Sequence, residues 1–309
     1  MPHLYWPKEL NGAPRYIFDG ASPALRPVFL PDFTRQPADL LHRVLRFLVL
    51  GRFPVGPRVA TWVTGISGWE QLQQVGSGDS FMADGLTNPR TLQALAWMLP
   101  PGVPRFNYFN NTMRYTLPQQ DIVPLLRRMK RMGYALYTFD PDDAETYDLH
   151  LTEQFYREPD PAITPAEPVD CYFCGENKGR RSELEKLESR LQAAGYTTRF
   201  LIADTPSQRI PYTEYLHHLR ACRCVVDLVQ GSQRGITRRP VEALFEQKKL
   251  ITNCTSILHA DFYRPENIFI LGHDADDRLP TFLQQPQVPL PQDVLQCYHV
   301  DHFLQNFTR

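Results

Sequence analysis

The chain has 309 residues, 42% of them hydrophobic and 22% charged, which is enough for two domains or for one large α/β domain. Its 33 Lys and Arg balance 34 Asp and Glu to a net charge of −1, which argues against a nucleic-acid partner. No apolar run reaches the roughly 18 residues that span a bilayer, and the start MPHLYWPKEL lacks a signal-peptide pattern, so we expect a cytoplasmic protein.

The first half of the chain alternates short apolar segments with polar breaks. Apolar spacing predicts strands at residues 15–20, 58–65, 105–111 and 134–143, and helices at residues 38–50, 89–99 and 119–132. This pattern favours an irregular α/β domain over residues 1–156. The proline-rich segment that follows, residues 157–168, is typical of an interdomain linker.

The second half alternates strands and helices more regularly. Five strands are predicted at residues 169–175, 197–204, 224–229, 250–252 and 267–272, with helices between them. Ser182 and Glu185 form a capping-box pattern before one helix, and Pro240 is expected to be the first residue of another. We predict a doubly wound Rossmann-like domain over residues 169–291. A C-terminal helix over residues 292–309 is expected to pack back across the first domain.

All six cysteines lie in the second half. Cys171 and Cys174 form a C-x-x-C pattern, which Cys222 and Cys224 could complete as a zinc site. The pair lies inside an apolar strand, however, where alternate side chains point to opposite faces of the sheet. We therefore interpret these cysteines as small buried hydrophobic residues and predict no metal site.

A first polar cluster follows the strand at residues 169–175 and consists of Gly175, Lys178, Gly179 and Arg180. Glycines let a ligand approach the backbone, and amide groups at a helix start favour an anion. The cluster could therefore hold a diphosphate. A polar turn whose basic residues are only solvated is equally compatible with this loop alone.

A second polar cluster follows the strand at residues 224–229. Arg238 and Arg239 lie at a helix entrance, where their guanidinium groups can bind phosphate oxygens. Glu242 could accept both hydroxyls of a ribose, or simply be favoured by the helix dipole. Gln230 and Gln233 suit a sugar, with Gly235 beside them. Neither a G-x-G-x-x-G nor a Walker A pattern occurs in the chain.

The segment DLVQGSQRGITRRPVEALFEQKKLITN resembles the donor-domain signature of GT-B-type bacterial glycosyltransferases of lipopolysaccharide and capsule biosynthesis. CYFCGENKGR and NIFILG match the same group in order and spacing, and the similarity covers residues 134–309. The resemblance implies a GT-B-like fold, with two Rossmann-like domains facing a cleft and the donor nucleotide-sugar bound by the C-terminal one. The chain departs from the E-x7-E form of the signature, because Leu250 stands where the second acid would be.

The same resemblance implies roles for the polar residues. Glu242 would bind the donor ribose. The diphosphate would face Lys178, Arg180 and Arg238, close to Gly175 and Gly179. The sugar pocket would be lined by Gln230, Gln233 and Gly235.

The implied activity is transfer of a sugar to a glycan or lipid-linked glycan of the cell envelope. We expect metal-independent transfer, without a cofactor beyond the nucleotide-sugar co-substrate. The basic face of the helix at residues 119–132 could touch an anionic membrane, such as the inner face of the cytoplasmic membrane, or could simply be solvated.

An inverting transfer also needs a base for the acceptor hydroxyl. Asp19, Glu70, Asp79 and Asp84 are the candidates in the first domain, and we choose Asp84 from the loop MADG. Two alternatives of the same fold stay open, a non-catalytic nucleotide-sugar-binding subunit and a sugar-nucleotide epimerase.

Overall fold

The computed structural model describes residues 2–8, 12–35, 37, 39–230 and 234–308. It divides into two compact units. The first unit comprises the described residues of 1–11, 21–152 and 303–309, and the second those of 12–20 and 153–302. The division thus differs from the predicted ranges, because residues 12–20 and the proline-rich segment group with the second unit.

The first unit is built on a six-stranded parallel sheet in the order β2-β1-β3-β4-β5-β6. The strands are β1 (Leu4–Pro7), β2 (Val28–Leu30), β3 (Ser80–Asp84), β4 (Arg105–Phe109), β5 (Tyr134–Thr138) and β6 (His150–Leu151). The helices up to residue 152 are α1 (Gly12–Asp19), which groups with the second unit, α2 (Leu40–Val49), α3 (Pro57–Thr64), α4 (Pro89–Met98), α5 (Met113–Thr116), α6 (Gln119–Arg131) and α7 (Pro141–Tyr147), with a 3-10 turn at Trp69–Gln74.

Two of the predicted strands are helices. Residues 58–65 form α3, because Pro57 is tolerated in its first turn and Gly65 ends it in the left-handed region at φ 64°. Its buried residues, Ala60, Val63 and Thr64, have helical spacing. Residues 15–20 fall in α1, which buries adjacent Ile17 and Phe18. The strand prediction was wrong in both places.

The C-terminal segment completes the aromatic core of the first unit. Phe303 lies 6.3 Å from Trp6 and 5.3 Å from Tyr108, between ring centroids. Phe307 lies 4.9 Å from Tyr137, and its carbonyl oxygen accepts the hydroxyl of Ser80. Ring pairs at these separations add to the burial of large apolar surfaces. The described residues of 303–309 thus group with the first unit, whereas residues 292–302 group with the second, and two short helices stand where one was predicted.

The second unit is built on a five-stranded parallel sheet in the order β11-β10-β9-β7-β8. The strands are β7 (Val169–Glu176), β8 (Thr198–Ala203), β9 (Cys222–Asp227), β10 (Lys249–Thr252) and β11 (Ile268–Ile270). The remaining helices are α8 (Arg181–Ala193), α9 (Tyr212–Ala221), α10 (Arg238–Phe245), α11 (Arg278–Gln284), α12 (Gln292–Cys297) and α13 (Val300–Gln305), with 3-10 turns at Pro206–Gln208 and Thr255–His259. The predicted α/β class with two Rossmann-like units is confirmed.

Each sheet has one point where the strand order reverses. In the first unit it lies between β1 and β3, because the chain runs from β1 to β2 on one side and resumes at β3 on the other. In the second unit it lies between β7 and β9 for the same reason. Ligands of open parallel sheets bind at the carboxyl ends of strands beside such a switch point. Along the described part of the chain, no helix is long and apolar enough to cross a bilayer.

Candidate functional site

Both predicted polar clusters lie at the switch point of the second unit. The turn after β7 carries Lys178 and Gly179 with positive φ angles of 46° and 80°, and α8 begins directly after it. The Nε2 group of Gln230, in the loop after β9, donates to the main-chain carbonyl of Lys178. The two clusters that the sequence separates by some fifty residues are therefore joined by a hydrogen bond.

Helix α8 begins earlier than the sequence predicted. Its first residue is Arg181, whose amide donates to the Asn177 side-chain oxygen at 2.9 Å. Ser182 lies inside the helix, and Glu185 pairs with Arg181 at 3.2 Å. The capping-box prediction for Ser182 and Glu185 was wrong, because a side chain from the preceding turn satisfies the helix start instead.

The Arg180 side chain is held by main-chain carbonyls. Its Nη1 group donates to the Leu228 oxygen, and its Nε and Nη2 groups donate to the Glu176 oxygen at 3.3 and 3.1 Å. Carbonyls fix the guanidinium without cancelling its charge. Lys178 lies in the same turn, with its Nζ atom 3.9 Å from the Glu176 carboxylate. That carboxylate also pairs with Arg209.

A buried ion pair supports this cluster from below. Arg239 donates through Nη1 to the carboxylate of Asp227, which is 1% exposed, and through Nη2 to the Cys174 carbonyl at 2.8 Å. Asp227 also accepts the Thr237 hydroxyl at 2.8 Å. Sequence reasoning placed Arg239 at the helix entrance as a phosphate-binding candidate but did not select Asp227. The available signal was an aspartate at the end of an otherwise apolar strand, since a buried carboxylate needs a partner.

The start of helix α10 also differs from the prediction. Thr237 is the residue before the helix, and the helix begins at Arg238 rather than at Pro240. Arg238 and Arg239 therefore both belong to the first helical turn. The Nε atom of Arg238 is buried and lacks a hydrogen-bond partner among the described residues.

Gly175 is required where the two guanidinium groups approach the strand. A Cβ atom there would lie 3.0 Å from Arg239 Nη2, 3.3 Å from Phe173 Cζ and 3.4 Å from Arg180 Nη2. Both guanidinium groups lie over the Phe173 ring, 5.2 Å from its centroid for Arg180 and 5.1 Å for Arg239. A side chain at this position would therefore make both guanidinium groups and the Phe173 ring shift by a few tenths of an ångström.

Two cations of the cluster, Lys178 and Arg180, have lowered pKa values. Burial lowers the pKa of the Arg180 guanidinium to about 10, and the neighbouring Arg239 adds to the effect. Burial is also the largest cause that lowers the pKa of Lys178, and repulsion from Arg180 and Arg239 lowers it further. Arg239 is compensated by Asp227, whereas a bound anion would stabilise the charged forms of Lys178 and Arg180.

Glu242 occupies a different position from the one its predicted role suggests. It is 5% exposed, and its two carboxylate oxygens accept the hydroxyl groups of Tyr212, at 2.9 Å, and Tyr215. Tyr212 in turn lies 3.1 Å from the Tyr156 hydroxyl. These bonds give Glu242 a structural role inside the second unit. Its contact with a donor ribose stays a prediction.

The other predicted residues of the second loop lie near the cluster or outside the described part of the chain. Gln230 is half-buried and contacts Lys178, as stated above, and Gly235 is buried. Gln233 lies outside the described residues. Next to the loop, a cavity of about 300 Å³ runs along the carboxyl ends of β9, β10 and β11 and the side of α8, lined by Leu228, Asn253, Leu271, Glu183, Lys186, Leu187 and Arg190.

The switch point of the first unit carries Asp84, the predicted base. Asp84 ends β3, and its Oδ2 atom pairs with the ammonium group of Lys8, the residue after β1. Its Oδ1 atom is buried and has no hydrogen-bond partner in the parts of the chain that are described. Both side chains line a cavity of about 130 Å³, together with Pro7, Asp32, Phe33, Thr34, Ala83, Leu86 and Leu95.

The sequence did not single out Lys8. The available signal was a basic residue directly after the apolar run LYWP, which is β1. The missed strands β1 and β3 hid this juxtaposition, because only the sheet order brings residues 8 and 84 to one edge.

The remaining candidate bases have local partners. Asp79 accepts the main-chain amides of His3 and Gly76, at 2.8 and 2.7 Å, so it stabilises a turn. Glu70 accepts the Thr61 hydroxyl at 3.0 Å. Asp19 lies in the second unit, 3.6 Å from Arg15 on the surface of α1. Asp84 is thus the candidate placed at a switch point.

Of the four cysteines in the predicted C-x-x-C and zinc pattern, three are buried and Cys174 is half-buried. Cys171, Cys222 and Cys224 are buried, and burial raises the pKa of the Cys222 thiol to about 12. A raised pKa keeps the thiol protonated, which opposes metal binding. Among the described residues, no group of three or more His, Cys, Asp or Glu side chains is arranged to hold a metal ion.

No protein-family profile matches the chain, and no curated protein matches it at a significant level. Among solved structures, the chain is similar to Anabaena Alr3699/HepE, whose crystal structure is of a complex with UDP. The two share 13% sequence identity with a TM-score of 0.49, over 99% of this chain and 98% of that chain. We therefore base the function on the residues at the two switch points.

Proposed function

We propose that this chain is a glycosyltransferase that uses a nucleotide-diphosphate sugar as its donor. The observation that carries this function is the pair Lys178 and Arg180 at the switch point of the second unit, beside the Arg239–Asp227 ion pair. Burial lowers the pKa of both cations, and repulsion from Arg239 adds to the effect. A diphosphate is the ligand whose charge and oxygen geometry answer such a cluster.

The diphosphate would lie against the turn after β7. Lys178 and Gly179 have the backbone shape that points amide groups at an anion, and the N-terminus of α8 adds its dipole. Arg238 stands across the loop at the start of α10. The cavity of about 300 Å³ beside Leu228 is large enough to take part of the nucleoside.

The chemistry follows from where charge develops. The acceptor hydroxyl oxygen bonds to the anomeric carbon while the bond from that carbon to the diphosphate oxygen breaks, and the bonding electrons leave with the diphosphate. Cations held in place before the reaction stabilise that leaving charge without reorganising. We assign this task to Lys178, Arg180 and Arg238, which is the metal-independent route expected from the sequence.

We propose that Asp84 is the general base that removes the proton of the acceptor hydroxyl. Its Oδ1 atom is buried without a described partner, and an orphaned acceptor of this kind costs stability unless a ligand satisfies it. Lys8 holds the opposite oxygen and so orients the carboxylate. The acceptor that we propose is a cell-envelope glycan, of the lipopolysaccharide or capsule type that the resemblance implies.

Slow hydrolysis of the donor tests this function before the acceptor is known. The protein is incubated with nucleotide-diphosphate sugars, and released nucleoside diphosphate and the sugar are both measured. Release of the nucleoside diphosphate together with the free sugar shows that the sugar was transferred to water, and supports the proposed function. An epimerised nucleotide sugar identifies an epimerase instead, and donor binding with neither product identifies a non-catalytic binding subunit. Either of the last two results refutes glycosyl transfer.

A further inference from the structure

Helix α2 turns its apolar side towards solvent. Its large apolar side chains follow the spacing i, i+1, i+4, i+7 and i+8, which places them on one face. The most exposed of them is 74% exposed and the least exposed is 45% exposed; they are Leu40, Leu41, Val44, Phe47 and Leu48. The sequence predicted this helix and its stripe, and the stripe would ordinarily face the core. Here it does not.

The opposite side of α2 is anchored by a buried arginine. Arg46 is 7% exposed, and its guanidinium donates to the carbonyl oxygens of Arg35 and Phe33, at 2.6 and 3.1 Å, and to the Thr91 hydroxyl at 3.0 Å. Three bonds to a buried guanidinium fix the roll of the helix about its axis. The bonds of Arg46 therefore hold the apolar stripe of α2 towards solvent.

Exposed apolar residues continue beyond α2. Phe53, in the turn after the helix, is 59% exposed. Helix α3 packs against α2 and exposes Val59 by 44% and Trp62 by 63%, while its Ala60, Val63 and Thr64 face inwards. We name this set, the five residues of α2 with Phe53, Val59 and Trp62, the α2–α3 surface. Contiguous exposed apolar residues of this size mark an interaction site.

The charge around the α2–α3 surface is mainly positive. Residues 39–70 contain four arginines, of which Arg46 is buried, and one acid at each end, Asp39 and Glu70. Arg52 and Arg90 lie over the Phe47 ring, 5.0 and 3.9 Å from its centroid. Arg90 also donates to the Phe47 carbonyl at 2.5 Å. An apolar face with an aromatic residue and a rim of arginines is typical of helices that lie flat at a lipid interface.

We infer that the α2–α3 surface docks this protein on an anionic lipid bilayer, with its apolar side chains among the lipid chains and its arginines at the headgroups. A two-fold contact with a second copy would bring the same arginines together, which charge repulsion opposes. This inference does not depend on the proposed function, because it concerns only the first unit and a lipid surface.

The basic face of α6 is the other place where the sequence allowed membrane contact. Its apolar residues Ile122, Leu126 and Met129 are buried in the core of the first unit. With those side chains turned inwards, α6 has charge but little apolar surface to insert. The α2–α3 surface combines both, and a membrane needs both for stable contact.

Vesicle co-sedimentation tests the inference. The protein is mixed with vesicles of phosphatidylcholine alone, or of phosphatidylcholine with phosphatidylglycerol. We expect binding to the anionic vesicles that weakens in high salt, and little binding to the neutral ones. The double variant Leu41→Ser with Trp62→Ser should lose binding by about tenfold or more, since each removes insertable apolar area. Leu151→Ser, an exposed leucine elsewhere in the first unit, is the matched control and should bind as the wild type.

Three results would overturn the inference. One is an absence of binding to anionic vesicles, and another is equal binding by the double variant. The third is self-association of the wild type that the double variant abolishes, since this would assign the surface to a second copy. Because the substituted side chains are exposed, both variants should fold, and circular dichroism and donor binding should be unchanged. If the wild-type protein binds no donor, that result contradicts the proposed function and leaves the membrane inference untouched.

Discussion

The side chain of Gln230 donates to the main-chain carbonyl of Lys178, and so joins the loop after β9 to the turn after β7. This single bond connects the two parts of the candidate donor site. Around it, Arg180 is held by carbonyls and Arg239 by Asp227, so that the cations of the site are fixed before a ligand arrives. Groups arranged in advance bind an anion without an ordering cost.

Arg180→Ala is expected to weaken binding of a nucleotide-diphosphate sugar by about 10- to 100-fold, because a charge-assisted hydrogen bond to phosphate contributes about 1.5–3 kcal/mol. Titration calorimetry measures the change. Arg223→Ala is the control, since Arg223 pairs with Asp170 at 3.2 Å near the amino ends of β9 and β7, at the opposite end of the sheet from the turn. Equal affinity in the Arg180 variant and the wild type would remove Arg180 from the site.

Gly175→Ala is expected to weaken donor binding while leaving the protein folded. The added methyl group would press on the ends of Arg239 and Arg180 at 3.0 and 3.4 Å, and both guanidinium groups must shift to make room. Gly78→Ala is a suitable control, because a methyl group there meets nothing within 4 Å. Donor affinity and the melting temperature are measured for both variants. Unchanged affinity in Gly175→Ala would show that the guanidinium positions do not matter.

Glu242→Ala is expected to destabilise the second unit by about 2–4 kcal/mol, since two buried tyrosine hydroxyls would lose their acceptor. Glu242→Gln keeps one acceptor oxygen and should lose less. Denaturant unfolding measures both, and donor binding to folded Glu242→Gln then tests the ribose role separately. A Glu242→Ala variant as stable as the wild type would contradict the structural role that Tyr212 and Tyr215 indicate.

Donor affinity should fall as pH rises through the lowered pKa of Lys178, since only the protonated ammonium attracts the diphosphate. Burial and the neighbouring Arg180 and Arg239 lower this pKa, so the fall begins at a lower pH than for an ordinary lysine. Lys178→Arg should move the fall to higher pH, because a guanidinium stays charged. Lys130→Arg, a paired surface lysine of the first unit, should leave the profile unchanged. Identical profiles for wild type and Lys178→Arg would exclude Lys178 from the diphosphate site.

Asp84→Asn should lower the rate of sugar transfer by about 100- to 10,000-fold, the usual contribution of a general base, and leave donor affinity unchanged. The amide keeps the shape of the carboxylate, so folding should survive. Turnover and donor affinity are measured on the same preparation. Full turnover in Asp84→Asn would require another base.

The second unit could be predicted well from the sequence because its strands and helices alternate with clear periods. Its five strands were all found, and Gly175, Lys178 and Arg180 were placed at the correct strand end. The first unit was harder. Residues 58–65 are rich in β-branched side chains, yet Pro57 and Gly65 make them a helix. The short strands β1 and β2 carry too few residues for a period to show.

What the sequence could not supply were partners that depend on sheet order. The pair Lys8 with Asp84 arises only because the ends of β1 and β3 are neighbours, and Arg239 reaches the Cys174 carbonyl only because β7 lies beside β9. The outward stripe of α2 is a further case, because spacing shows that a helix has an apolar face but not which way it points. Arg46 decides that direction through its bonds to Arg35, Phe33 and Thr91.

The most direct test of the donor site is calorimetric titration of the wild type and of Arg180→Ala with a panel of nucleotide-diphosphate sugars. We predict that the wild type binds at least one of them and that Arg180→Ala binds the same donor at least about tenfold more weakly. A wild type that binds none of the panel, or two proteins that bind equally, would contradict the assignment of the second unit to donor binding.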